Sequence, residues 1–332
     1  MSSESGAPST GATSAASGGG EASVGSGGGE SSTGSAGGES STGAGQTGVI
    51  PQPTAPCPTI QTGTVTFCPA GFPCRDVRFT SVESTTGSGP LVLAWAGTFN
   101  NPDTLVGGDF ATDLMISMAD TEGGMVALPY PDPEAVGRPD TPFPWWVVCG
   151  FVNPSQCDRL DDFALADEIV ACSVEQGLID PDRISSVGGS AGGIMTTHLV
   201  NRVPWLAGAV SWSGGVSTAN RPIDPPDEST VAVMAVHGGS TDQYCGPGVN
   251  ECYEFVGPTL ALAEDLTTDG RWFLLCDHNT GHHNAMGPQA DDFIRLANRA
   301  GHPWEGLVPG SIGNWVLDNY CYSFGDPSPW AQ

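Results

Sequence analysis

The residues Ile184-Ser-Ser-Val-Gly-Gly-Ser-Ala-Gly-Gly193 are the most informative stretch of this chain. Within them, Gly188-Gly189-Ser190-Ala191-Gly192 reads G-x-S-x-G, with a strand pattern before it and a helical pattern after it. A serine on a sharp strand-to-helix turn needs neighbours without bulky Cβ substituents. Such a turn exposes the hydroxyl oxygen and aims the next backbone N–H, that of Ala191, at the same spot. The helix N-terminus then favours negative charge developing there. This is the chemistry of a nucleophile attacking a carbonyl. The plainer alternative is a glycine-rich loop with an incidental serine, and the run of small residues with matching flanks weighs against it.

A nucleophilic serine needs a base and an acid that orients the base, following it in the order Ser, Asp or Glu, His. Val231-Ala-Val-Met-Ala-Val-His237 reads as a buried strand, and Asp242 lies five residues past its end. The ends of such strands form the catalytic edge of an open α/β sheet. The next strand, Trp272–Asp277, runs into His-Asn-Thr-Gly-His-His283, so His282 or His283 falls where the base belongs. Taken alone, Asp242 would pass for a turn or capping residue. Asp277, His278, His282 and His283 could instead gather a metal, but no HExxH frame surrounds them, and no metal or cofactor is expected. His237 reads as structural, and His278 as structural or as a support behind the site residues. A second oxyanion donor should come from the loop after the Pro90–Ala96 strand, which reads Ala96-Gly97-Thr98-Phe99. Phe99, Tyr130, Trp145, Trp146 and Trp212 are the aromatics expected near the cleft. Phe99, Trp145, Trp146 and Trp212 are candidates for substrate contact, with core packing as the competing reading for the tryptophans.

These residues must be positioned by a sheet. Strands are expected at Thr64–Cys68, Asp76–Val82, Pro90–Ala96, Met125–Tyr130, from Trp145 to Val148, and at Ile184–Val187, Ala207–Ser213, Val231–His237 and Trp272–Asp277. Asp161-Asp162 precede Phe163, Leu165, Ile169, Val170 and Val174 at helical spacing, which suits an aspartate N-cap. Further helices are expected at Ala191–Val200, Leu260–Leu266 and Asp291–Asn298. Strands alternating with helices imply a mostly parallel, doubly wound sheet.

Residues 1–50 differ from the rest: they hold 15 glycines and 13 serines. They have too few bulky side chains to offset the entropy of ordering, so a disordered linker or stalk is expected, with one catalytic domain over 51–332. The N-terminus lacks the basic and apolar regions of a signal peptide. A lipid anchor ahead of such a stalk is a further expectation, although no cysteine that could carry it precedes the stalk here. The formal charge is −27, from 37 acids and 10 bases, and the chain has no lysine. That field disfavours nucleic acids and anionic membrane surfaces. No apolar run is long enough for a membrane-spanning helix. The ten cysteines show no CxxC spacing, and Cys68/Cys74, Cys149/Cys157 and Cys245/Cys252 could close short loops. An exported, extracellular or surface protein with several disulfides is expected, of a connectivity that sequence does not fix.

Taken together, the motifs resemble the exported polyhydroxybutyrate-depolymerase and feruloyl-esterase branch of the α/β-hydrolases. The resemblance runs from about Pro90 to Trp330. It rests on Asp180-Pro-Asp-Arg-Ile184 leading into the glycine-rich turn, on His237-Gly238 with Asp242, on Cys276-Asp-His-Asn-Thr-Gly-His282, and on Phe324-Gly-Asp-Pro-Ser-Pro-Trp330. It implies an α/β-hydrolase fold, a Ser190–Asp242–His282 triad, and His282 rather than His283 as the base. It places the second oxyanion donor at Thr98, with Gly97 in second place, where many relatives carry His-Gly at positions 96 and 97. It further implies hydrolysis of an ester, including polymeric polyesters or feruloyl and acetyl polysaccharide esters. A serine peptidase on the same fold and a non-catalytic binding module are the alternatives.

Overall fold

The computed structural model describes residues 49–136, 143–147, 159–216, 230–246, 252–268, 271–283, 287–297, 299 and 321–322. The strands are β1 (Gly63–Phe67), β2 (Arg75–Thr80), β3 (Leu91–Trp95), β4 (Met125–Pro129), β5 (Ile184–Gly189), β6 (Gly208–Trp212), β7 (Ala232–His237), β8 (Gln243–Tyr244), β9 (Tyr253–Glu254), β10 (Phe273–Asp277) and β11 (Cys321–Tyr322). The helices are α1 (Pro102–Leu105), α2 (Phe110–Thr121), α3 (Pro133–Val136), α4 (Asp161–Glu175), α5 (Ala191–Val200), α6 (Val256–Thr268) and α7 (Gly287–Leu296).

Among the described residues, one nine-stranded sheet runs in the order β1-β2-β4-β3-β5-β6-β7-β10-β11. The middle of that order, from β4 to β10, is parallel throughout. β2 is antiparallel to both its neighbours, and β11 closes the far edge antiparallel to β10. The six parallel strands are buried at every position, as continuous Val-, Ala- and Leu-rich runs require when helices cover both faces. β1 and β2 alternate between buried and exposed positions, as strands with one wet face do. Trp95 pairs with Gly188, Gly189 with Trp212, and His237 with Asp277. The carboxyl ends of β3, β5, β6, β7 and β10 therefore lie side by side, and the loops that leave them share one edge.

Four disulfides join described residues: Cys57–Cys172, Cys68–Cys74, Cys245–Cys252 and Cys276–Cys321. Cys149 and Cys157 lie outside the described residues. No helix among the described residues is long and apolar enough to cross a membrane.

Two expectations differ from what is seen, and one helix was not expected at all. Trp145–Val147 forms a turn rather than the start of a strand. Its backbone is claimed by a side chain instead of a neighbouring strand, since the Trp146 N–H donates to Asp162 Oδ2 at 2.6 Å. The α4 N-cap is Leu160, without a side-chain cap. Asp162 is drawn inward, where it also accepts from Arg75 Nη1 at 3.2 Å. Helix α2 has no counterpart in the sequence reading. It is capped by Asp109, whose carboxylate accepts from the Thr112 N–H at 3.0 Å, and it buries Met115, Met118 and Ala119.

Candidate active site

Ser190 joins β5 to α5 with φ 55° and ψ −122°, a strained conformation for a residue with a Cβ. Its own N–H donates to the Trp212 carbonyl at 2.8 Å, which ties the turn to β6. The turn requires glycine behind it. A Cβ on Gly192 would lie 2.0 Å from the Trp95 carbonyl oxygen, so any side chain there would push β3 away from α5. Ala191 is the first residue of α5, and its N–H has no acceptor one turn earlier within the helix.

Asp242 follows β7 through a single 3₁₀ turn at Gly239–Thr241. It is fully buried. Its Oδ2 accepts from Ser213 Oγ at 2.8 Å and from the Gly238 N–H at 2.9 Å. Its Oδ1 lies 2.8 Å from His282 Nδ1. Burial pushes its carboxyl up, but hydrogen bonds from His282, Gly238 and Ser213, with the attraction of the imidazole, outweigh it and leave the pKa below the usual range.

His282 sits in the loop after β10. The Gly281 N–H donates to the Gly238 carbonyl at 2.9 Å, so the loops carrying Asp242 and His282 lie against each other. That approach also demands glycine, because a Cβ on Gly238 would fall 2.0 Å from the Gly281 oxygen. The imidazole stacks on Phe255, with ring centroids 4.7 Å apart and planes 18° apart. Phe255 is held in turn by its N–H, which donates to the Asp242 carbonyl at 3.1 Å. The β8–β9 hairpin that links Asp242 to Phe255 is closed by Cys245–Cys252. Asp242, His282 and the ring beneath the imidazole thus belong to one braced unit.

A cleft of about 420 Å³ opens over this edge, and Ser190 and His282 both line it. Its walls include Gly97, Thr98 and Phe99 from the loop after β3, Thr112 and Met115 from α2 with its N-cap Asp109, and Trp212, Tyr244 and His283. The Asn100 N–H donates to the Gly97 carbonyl at 3.1 Å and closes a turn in which Phe99 takes φ 69°. Phe99 is 72% exposed at the rim.

The structure therefore gathers Ser190, His282, Thr98, Phe99 and Trp212 around one cleft, with Asp242 behind His282 and Ala191 directly after Ser190. The two adjacent histidines have different partners: His282 meets Asp242, whereas His283 Nε2 lies 3.1 Å from Thr280 Oγ1. His278 Nδ1 shares that hydroxyl at 2.6 Å, so of the residues weighed as a metal cluster two meet at Thr280 while His282 turns to Asp242. His237 is buried, and its Nδ1 accepts from the Gly239 N–H at 3.2 Å, which shapes the turn ahead of Asp242.

Trp145 and Trp146 require correction as substrate contacts. Both are buried and neither lines the cleft. Their indole N–H groups point to buried acceptors: Trp145 to the Ala96 carbonyl at 2.8 Å, and Trp146 to Asp132 Oδ2 at 2.8 Å. Tyr130 is also away from the cleft, with its hydroxyl on Asp103 at 2.9 Å. The sequence reading missed Ser213, Phe255, Tyr244 and the α2 residues. Asp109 followed by Thr112, Met115 and Met118 was a legible helix start. Phe255 carried no local signal, because its partner lies far along the chain.

No protein-family model matches the sequence, and no curated protein matches it significantly. Solved structures do match. A structure described as native sOPH aligns with a TM-score of 0.59 at 19% identity, covering 74% of this chain and 92% of that one. A serine-to-cysteine variant of pOPH in complex with DMSO aligns with a TM-score of 0.60 at 19% identity, covering 79% and 93%. Native pOPH gives a TM-score of 0.54 at 19% identity, covering 73% and 88%. At such identities the likeness is one of architecture. Together with the parallel sheet, the serine turn after β5 and the order of the loops at its carboxyl edge, it shows that this chain has the α/β-hydrolase fold.

Proposed function

We propose that the chain is an exported serine esterase that works through Ser190, His282 and Asp242. One observation carries the reading: a serine strained into the turn before α5 and an imidazole oriented by a buried aspartate line the same cleft. Asp242 holds the Nδ1 proton of His282, which leaves Nε2 as the basic nitrogen. Nε2 takes the proton of Ser190 as Oγ attacks the ester carbonyl carbon. The carbonyl oxygen becomes an oxyanion, bound by the N–H groups of Ala191 and Thr98. The intermediate collapses, and the alcohol leaves with the proton from His282. Water, deprotonated by the same imidazole, then attacks the acyl-enzyme and releases the acid and Ser190. A related observation comes from an aligned structure, a serine-to-alanine pOPH variant described as a complex with pNPB.

The cleft favours uncharged or cationic esters. Among the described residues no arginine lines it, Asp109 does, and the chain carries −27. Phe99 at the rim and Trp212 within supply apolar surface for an acyl group or a polymer segment. Polyhydroxyalkanoate-type polyesters and feruloyl or acetyl esters of polysaccharides both meet these conditions. The disulfides fit an oxidising location outside the cell, with residues 1–50 as a stalk at its surface. Ser190→Ala should abolish hydrolysis of a p-nitrophenyl ester and labelling by a fluorophosphonate, and retention of either activity would end this reading. A panel of polyhydroxybutyrate film, ethyl ferulate and acetylated xylan identifies the natural ester, and matched amides test for peptidase activity.

A further inference from the structure

Trp145 does not reach the cleft, yet it holds the strand end from which the oxyanion loop departs. It is fully buried, and its Nε1–H donates to the Ala96 carbonyl at 2.8 Å. Ala96 stands between β3 and Gly97. In a trans peptide the carbonyl and the following N–H point in opposite directions. Turning the Ala96 carbonyl onto a core indole therefore turns the Gly97 N–H away from that indole, and it fixes the angle at which the chain enters the Gly97–Asn100 turn. That turn carries Thr98. It also lies against the nucleophile turn, since a Cβ on Gly97 would sit 3.0 Å from the Gly189 oxygen and 3.7 Å from Ser190 Cβ.

The indole is itself immobilised. It meets Trp95 edge to face, with centroids 5.0 Å apart and planes at 89°. The next residue, Trp146, is pinned by Asp162 through its backbone and by Asp132 through its ring. We propose that Trp145 is a positioning residue for the oxyanion loop, acting through the Ala96 carbonyl. The proposal rests on the serine-esterase reading above. It assigns to a buried tryptophan the task of aiming peptide N–H groups at the substrate oxygen.

Trp145→Phe keeps a flat but smaller ring at the site and removes the N–H. The expected result is a fall in kcat of about 10- to 100-fold with KM held within about two-fold, because loop aim matters most in the transition state. The rate is expressed per active site, counted by end-point titration with a fluorophosphonate. The pH at half-maximal kcat/KM should not move, since the His282–Asp242 pair is untouched. If Trp145→Phe lowers only the number of titratable sites and leaves kcat per site unchanged, the indole is merely structural and the proposal is overturned. If that variant does not fold, β-(3-benzothienyl)alanine at position 145 keeps the bicyclic shape without the N–H. It should show the same fall in kcat, and parental kcat there overturns the proposal equally. If the parent chain shows no Ser190-dependent hydrolysis, the esterase reading fails and takes this proposal with it, an outcome distinct from an active parent and an equally active variant.

Discussion

Asp242→Asn tests the proposed triad at its most constrained member. The carboxylate is fully buried and meets three donors: Ser213 Oγ and the Gly238 N–H on one oxygen, and His282 Nδ1 on the other. An amide offers one acceptor oxygen and one NH₂ group. Two orientations compete. With the oxygen towards Gly238, that bond survives, and the NH₂ faces His282 Nδ1. The imidazole must then accept at Nδ1 and carry its proton on Nε2. In the reverse orientation the NH₂ faces the Gly238 N–H, donor against donor. A buried unpaired donor costs about 1–3 kcal/mol. The first orientation therefore dominates by roughly 5- to 150-fold. It presents Ser190 with an imidazole that cannot take its proton, and the minor orientation still lacks the carboxylate charge that stabilises the imidazolium, so the two losses together should lower kcat by about 10⁴-fold. Loss of the charged acceptor should lower stability by only about 1–2 kcal/mol, so the variant stays folded. The measurement pairs p-nitrophenyl ester kinetics with a ¹⁵N spectrum of the histidine-labelled protein, which reads the protonated nitrogen of His282 directly. A variant whose kcat stays within about ten-fold of the parent, or whose His282 keeps its proton on Nδ1, would refute the reasoning.

Two further outcomes follow from charge. His198 lies inside the core, where burial, with Arg202 adding to it, lowers its pKa from 6.5 to about 4. The fold prefers the neutral ring, so this contribution to stability is complete above about pH 6.5 and is lost as pH falls from there through about 4, a total of about 3 kcal/mol. His198→Leu should flatten the fall in Tm over that window, and parallel curves for parent and variant would contradict the assignment. A choline ester should surpass its uncharged isostere in kcat/KM by up to about 10-fold at low salt, a carboxylate-bearing ester should fall behind, and both differences should fade as salt rises. Equal rates for all three at every ionic strength would show that the cleft does not sense the charge of the chain.

The parts of the fold written in local pattern were legible before any coordinates. The parallel strands announced themselves as unbroken apolar runs, and Ser190 by the small residues that its turn needs around it. Asp242 and the pair His282 and His283 stood out through chain order and strand ends, because their loops leave neighbouring strands, and only the family resemblance preferred His282. What stayed hidden depends on contacts between distant segments. Phe255 lies beneath His282 only because the β8–β9 hairpin folds back past Asp242. Trp145 and Trp146 looked like aromatics near the cleft at the start of a strand. Their burial follows from Asp162, Asp132 and the Ala96 carbonyl, acceptors that no sequence window contains together. Asp162 likewise looked like a capping residue until Arg75, 87 positions earlier, claimed it.

The Cys57–Cys172 bond has a mechanical consequence. It joins the start of the described body to α4 across a separation of 115 residues, and β1, the outermost strand on its side of the sheet, lies inside that span. Force applied to the chain ahead of Cys57 passes through sulfur into a helix packed on the core. It does not reach β1, which would otherwise unzip from β2 one hydrogen bond at a time. Reduction of this single bond would reroute the same pull along the backbone and make the edge of the sheet the first part to yield.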